Sequence, residues 1–162
     1  MTVVVGTDVY LSVTDADTYW AAKNNSTWAA ASTANKEKAL REATQFIDGA
    51  FSFIGYQNTD NLLAFPRYDV YITQGNFAGK SYNSTTIPPQ VEDACAELAL
   101  EALSARIMAV ESRGGLVKSE KVDVIEVEYM DWAPSGKTYS FAAMILKPLT
   151  TGSKTMKNLS RT

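Results

Sequence analysis

The chain has no histidine and a single cysteine, Cys95, among its 162 residues. Without an imidazole it lacks the commonest general base and the commonest transition-metal ligand. One thiol and no imidazole exclude a zinc site, a Ser–His or Cys–His nucleophile and an intrachain disulfide. Carboxylate chemistry alone stays open in principle, and the chain reads as a non-enzyme with no cofactor and no metal. No apolar run approaches the about 20 residues that a membrane span needs. The opening Met1-Thr2-Val3-Val4-Val5-Gly6 lacks the basic start and cleavage pattern of a signal peptide, which predicts synthesis in the cytosol. Asn-x-Ser/Thr triplets such as Asn83-Ser84-Thr85 are then expected to stay unglycosylated.

What is present suffices for a core. Hydrophobic residues make up 46% of the chain, enough for one domain with arms. The net charge of −3 is unevenly spread. After Asp131 come Lys137, Lys147, Lys154, Lys157 and Arg161 and no acid, which leaves 10 basic against 18 acidic residues elsewhere, a balance of −8. An acidic body thus carries a basic, acid-free end.

Periodicity predicts a mainly α fold: a small bundle of three main helices, a minor strand or hairpin element, and extended N- and C-terminal arms. The domain spans 1–149, includes a long loop at 68–86, and is followed by an arm at 150–162. Val3 to Val13 is β-rich and suits a strand or a short arm. Thr14 is the expected N-cap of a helix over Asp15–Lys23 that buries Ala16, Tyr19 and Trp20. The second helix runs from Asn35 to Ala50, with Ala39, Leu40, Ala43, Phe46 and Ile47 on one face. The third runs from Pro88 to Glu111, opening on proline and closing at Gly114-Gly115. Its apolar residues cover so much of the circumference that a second side should be buried, with another subunit as one candidate cover. Leu62, Leu63, Phe65 and Tyr68 are expected to hold the intervening loop. Lys118 to Tyr129 is strand-like, and its alternation changes parity at Val124-Ile125, which suits a bulge or a two-faced strand. Phe141, Met144, Ile145 and Leu149 mark one face of a short helix ending near Pro148.

Four features bear on chemistry. Gly75-Asn76-Phe77-Ala78-Gly79-Lys80-Ser81 resembles a phosphate-binding loop, but only three residues separate the glycine from Gly-Lys, and no helix follows. It reads as a plain glycine loop. Asp93, Glu97 and Glu101 stack at helical spacing, as a solvated face or as a negatively charged wall. Arg67, after Phe65-Pro66, is an interior pin paired with a carboxylate or an interface residue. Trp20, Trp28 and Trp132 suit packing better than base stacking, because strand-binding proteins join aromatics to a basic groove and this body is acidic.

The order of several segments resembles a known family. They are Val13-Thr14-Asp15-Ala16-Asp17-Thr18-Tyr19-Trp20, Trp28, Lys38 through Asp48, Phe53-Ile54-Gly55, Leu63-Ala64-Phe65-Pro66-Arg67, Ile87-Pro88-Pro89-Gln90-Val91 leading to Ala96-Glu97-Leu98-Ala99, Ser119-Glu120-Lys121-Val122 through Glu128-Tyr129, and Leu146-Lys147-Pro148-Leu149. Over residues 12–149 this order resembles the head–tail adaptor, or connector, proteins of tailed phages, with Phe65 standing where their pattern has Trp. Some members carry a DnaT-like single-stranded-DNA-binding label, against which the acidic body argues. The resemblance implies a structural virion protein in the neck, made in the host cytoplasm. It implies a ring of identical subunits, twelve in number, joining a portal protein to a tail, nozzle or stopper protein and extending the channel through which viral DNA passes without specific binding, with no membrane contact. The interface and channel candidates are Arg67, Asp93, Glu97, Glu101, Lys147, Lys154, Lys157 and Arg161. The alternative is a single-stranded nucleic-acid-binding accessory protein.

Overall fold

A computed structural model of the chain describes residues 2–73, 77–107, 119–122, 125–128 and 139–151. The elements in order are α1 (Val13–Ala22), α2 (Ser26–Ala30), α3 (Thr33–Ala50), β1 (Tyr56–Gln57), β2 (Arg67–Tyr68), β3 (Val70–Tyr71), β4 (Ser81–Tyr82), α4 (Pro89–Ser104), β5 (Ser119–Val122), β6 (Ile125–Glu128) and α5 (Ser140–Leu146), which runs into a 3-10 turn at Lys147–Leu149. The mainly α architecture with a minor β component is as the sequence predicts.

Side-chain caps set the first three helix starts. Ser12, two residues before the expected Thr14, caps α1 by accepting the Asp15 amide at 3.1 Å. Asn25 caps α2 through the Trp28 amide, and Ser32 caps α3 through that of Asn35. Each cap satisfies a backbone N–H that has no partner inside its helix. α4 opens on Pro88-Pro89 with no side-chain cap, since proline at the first turn needs none.

α3 and α4 form the centre. Ala39, Leu40, Ala43 and Ile47 on one and Val91, Ala94, Cys95, Leu98 and Ala99 on the other are all buried. The alanines let the two backbones approach closely. Cys95 lies between the Thr44 hydroxyl at 3.6 Å and the Leu40 carbonyl at 3.9 Å, and burial pushes its thiol up to about 12. Trp20 and Trp28 pack together with ring centroids 6.4 Å apart. The N-terminal segment is no free arm: after a turn at Gly6, Val9, Tyr10 and Leu11 enter the core.

Several expectations change. α4 ends at Ser104, short of Glu111, because Ala105 is extended; Gly114-Gly115 lies outside the described residues. Besides α3, it meets α5, with α1 and α2 packing nearby, so elements of the same chain cover more than one of its sides. In α5, Ala142 and Leu146 face the core together with Leu149, while Phe141 and Met144 are exposed. The parity change near Val124 marks a chain reversal: β5 and β6 pair antiparallel with Val122 opposite Ile125. Of the arm at 150–162, Thr150 bridges to Phe53 and the Thr151 amide donates to the Ser52 carbonyl at 2.9 Å; Trp132 and residues 152–162 lie outside the described residues. Among the described residues, no helix is long and apolar enough to cross a membrane.

Candidate nucleic-acid interface

The segment between α3 and α4 is held by polar contacts to backbone more than by regular structure. Phe65 is fully buried, packed edge-on against Phe53 at 4.8 Å and Tyr10 at 6.4 Å between centroids, and a cis peptide joins it to Pro66. Beneath it, the Tyr10 hydroxyl donates to the Asp48 carboxylate and accepts from the Phe65 amide, while Asp48 accepts from the Ala64 amide. Burial raises both the Tyr10 phenol and the Asp48 carboxyl above their ordinary values. The Asp48 charge raises Tyr10 further, whereas the bonds from Tyr10 and Ala64 and the nearby Arg67 charge partly offset the rise at Asp48.

Arg67 completes the anchor. Its guanidinium donates to the carbonyls of Ile54 at 3.0 Å, Gly55 at 3.0 Å, Ala64 at 3.4 Å and Phe53 at 3.4 Å. It is therefore an interior pin, as one of the two sequence readings holds. The fork is filled by carbonyls and not by a carboxylate. Five donors in a rigid plane allow this where a lysine would not.

On this anchor stand two short antiparallel hairpins. β1 pairs with β2, Tyr56 opposite Tyr68 and Gln57 opposite Arg67. β3 pairs with β4, Val70 opposite Tyr82 and Tyr71 opposite Ser81. Gly55, at φ +74°, lets the strands close: a Cβ there would lie 2.3 Å from the Tyr68 carbonyl oxygen. The outward side chains are large and aromatic, with Tyr56 72%, Tyr71 55% and Tyr68 46% exposed. Nearby, the Lys80 ammonium sits 5.3 Å over the Phe77 ring. Residues 56–82 carry Asp60 and Asp69 against Arg67 and Lys80, so this stretch is neutral within an acidic body. Leu63 and Phe65 hold the segment as expected, but Leu62 and Tyr68 do not: both are exposed.

The acidic positions of α4 fall elsewhere. Glu97 accepts from the Tyr19 hydroxyl at 2.7 Å and from the Lys23 ammonium at 2.5 Å, which joins α4 to α1. Burial works to lower Lys23, but its bonds to Glu97 and Tyr19 outweigh that and raise it. Burial also pushes Tyr19 up to about 12. Asp93 is half-buried and raised by burial, with Lys23 opposing and Glu97 adding. Glu101 is exposed near the end of α4, and Lys147 is exposed after α5. Lys154, Lys157 and Arg161 lie outside the described residues. The structure thus gathers Asp93 and Glu97 around Lys23, leaves Glu101 further along the helix, and sets Arg67 in a separate anchor. Among the described residues, no group of three or more Cys, Asp or Glu side chains could hold a metal ion.

Compared with known families, the chain matches over residues 2–162 the one described as "Putative DnaT-like ssDNA binding protein". The chain belongs to this DnaT-like family. No curated protein and no solved structure matches it. Membership corrects the head–tail adaptor reading, together with the portal-bound ring, connector and ejection channel that came with it. That reading rested on the order of several segments, and among their residues Trp20, Trp28, Leu40, Ala43, Phe65, Arg67 and Val91 lie in the core or in the anchor. Such residues specify a fold and say little about what the fold meets. The charge argument against the DnaT-like label also loses force. Asp17 pairs with Lys36 at 2.9 Å and Glu97 with Lys23, so two of the acids are already engaged by cations of the same chain. The sequence reading takes Tyr68 as a residue that holds the loop; the signal for a display is that Tyr56, Tyr68 and Tyr71 are spaced among Asn, Gln, Thr and Gly in a stretch of zero net charge.

Proposed function

We propose that this protein is a non-catalytic accessory protein that binds single-stranded nucleic acid, with the hairpins as its base-stacking surface. The observation that carries the reading is the exposed set of Tyr56, Tyr68 and Tyr71, two of them directly opposite across a strand pair, in a stretch of zero net charge within an acidic body. Bases stacked on aromatic rings gain about 1–3 kcal/mol each, with little regard to sequence. Lys80 supplies a cation at the platform. The basic residues after Asp131 supply more, free of acids in the same stretch. Net charge is a poor guide here, because surface charges are screened beyond about 10 Å at moderate salt. What a strand meets is the local face.

The test is fluorescence anisotropy of a labelled oligonucleotide, titrated with the protein over a range of salt. Binding should weaken with salt, with a log–log slope of about −0.7 per phosphate contacted. The combined Tyr56→Ala, Tyr68→Ala and Tyr71→Ala variant should bind at least about tenfold more weakly. No binding at low salt, or equal binding by the variant, overturns the reading.

A further inference from the structure

The platform contains one carboxylate whose placement is unusual. Asp69 sits between Tyr68, the last residue of β2, and Val70, the first of β3, with φ +55°. A regular strand alternates its side chains. Tyr68 and Val70 would then share a face, and Tyr71 would point the other way. Instead Tyr68 and Tyr71 are both exposed and Val70 is fully buried. The left-handed residue at 69 resets the alternation. Asp is among the few residues that adopt that conformation at low cost. The kink is held from below, because Gly55 lies so close that a Cβ would come within 3.1 Å of the Asp69 carbonyl. Asp69 itself is exposed, and no hydrogen bond or ion pair engages its carboxylate among the described residues.

An unpaired carboxylate on a held backbone, between the exposed Tyr68 and Tyr71 in the chain, repels phosphate and accepts hydrogen bonds. A strand would therefore lie with its bases, and not its backbone, toward position 69. An acidic side chain accepts from the exocyclic N4 amino group of cytosine, whereas thymine offers an acceptor, O4, at the same place. We propose that Asp69 determines specificity on this platform, accepting a hydrogen bond from the amino group of a stacked base so that cytosine-bearing single strands are bound in preference to thymine-bearing ones. The inference rests on the nucleic-acid-binding reading and adds a base preference to it.

The experiment compares oligo-dC with oligo-dT of equal length at slightly alkaline pH, where cytosine is neutral, on the wild-type chain and on Asp69→Asn, Asp69→Gly and Asp60→Asn. Asn and Gly both tolerate a positive φ, so the kink and the fold should survive at position 69. The wild type should prefer oligo-dC roughly fivefold or more. Asp69→Asn and Asp69→Gly should lose that preference while binding oligo-dT at least as well. Asp60→Asn removes an equal charge from the β1–β2 connection and should keep the preference. A wild type that binds both oligomers equally overturns the inference, as does a preference that survives at position 69 or vanishes with Asp60→Asn. Failure of the wild type to bind either oligomer overturns the nucleic-acid reading itself, and so the two failures are distinguishable.

Discussion

The helical half and the hairpin half of this molecule are built by different means. Around α3 and α4, apolar side chains interdigitate, and polar groups at the margin find side-chain partners: Asp17 accepts from the Trp28 indole at 2.7 Å and from Lys36, and Glu97 accepts from Tyr19 and Lys23. In the hairpins each strand is two residues long. Shape there comes from one guanidinium on several carbonyls, one glycine and one left-handed aspartate. The first half buries Trp20 and Trp28, and the second presents Tyr56, Tyr68 and Tyr71 to solvent. A scaffold that fixes a small aromatic display does not need a basic body, which is why whole-chain charge misleads.

Substitutions can break or sharpen this contrast. The largest effect is expected in the helical half: Trp28→Ala should cost about 3–5 kcal/mol in thermal or denaturant unfolding. Where that variant is still folded, its oligonucleotide affinity should be close to wild type; a large loss would mean the halves are not separable. Next comes Arg67→Ala, which strips the donor from the carbonyls of Phe53, Ile54, Gly55 and Ala64 and should cost about 2–3 kcal/mol. Hydrogen exchange should show faster amides in the hairpins than in α3 and α4; uniform acceleration would contradict a separate anchor. The combined tyrosine variant should shift stability by within about 0.5 kcal/mol, as surface changes do, while lowering affinity.

The smallest effect is a pH dependence. Asp48, Glu92 and Asp93 are each raised above their ordinary values, burial being the first cause at every one. A raised folded-state value means that the folded chain binds the proton more tightly than the unfolded chain. The stabilisation from these groups is therefore complete below the ordinary values of 3.8 for Asp and 4.5 for Glu and is lost as pH rises through the raised ones. Thermal unfolding should show their contribution growing as pH falls from neutral toward that range. Asp48→Asn, which cannot titrate, should flatten the part of that slope that comes from beneath the hairpins.

Much of the helical half was legible from spacing. The stripe Ala39, Leu40, Ala43, Ile47 and the Pro88-Pro89 start predicted α3 and α4, because burial of one face imposes a helical period. α2 escaped because one capped turn around Trp28 is too short to show a period. In α5 the face drawn from Phe141, Met144, Ile145 and Leu149 holds only in part: Leu149 is buried, but Ala142 and Leu146 take the core side while Phe141 and Met144 are exposed. The hairpins were hidden because two-residue strands leave no alternation to read, and the kink at Asp69 removes what little there is. For Arg67 the sequence leaves a pin and an interface residue equally open, because its backbone partners come from two separate places in the chain, 53–55 and 64, and no local pattern brings them together.

Cys95 gives the α3–α4 interface a built-in clock. A thiol packed against Thr44 and Leu40, and held mainly uncharged by burial, reacts with an alkylating reagent only while the two helices part. With no second cysteine to compete, the labelling rate of the native chain counts openings of that seam directly. The hairpin display can be altered above it and the same reading taken again, and so this one sulfur reports whether a change at the surface has reached the interior.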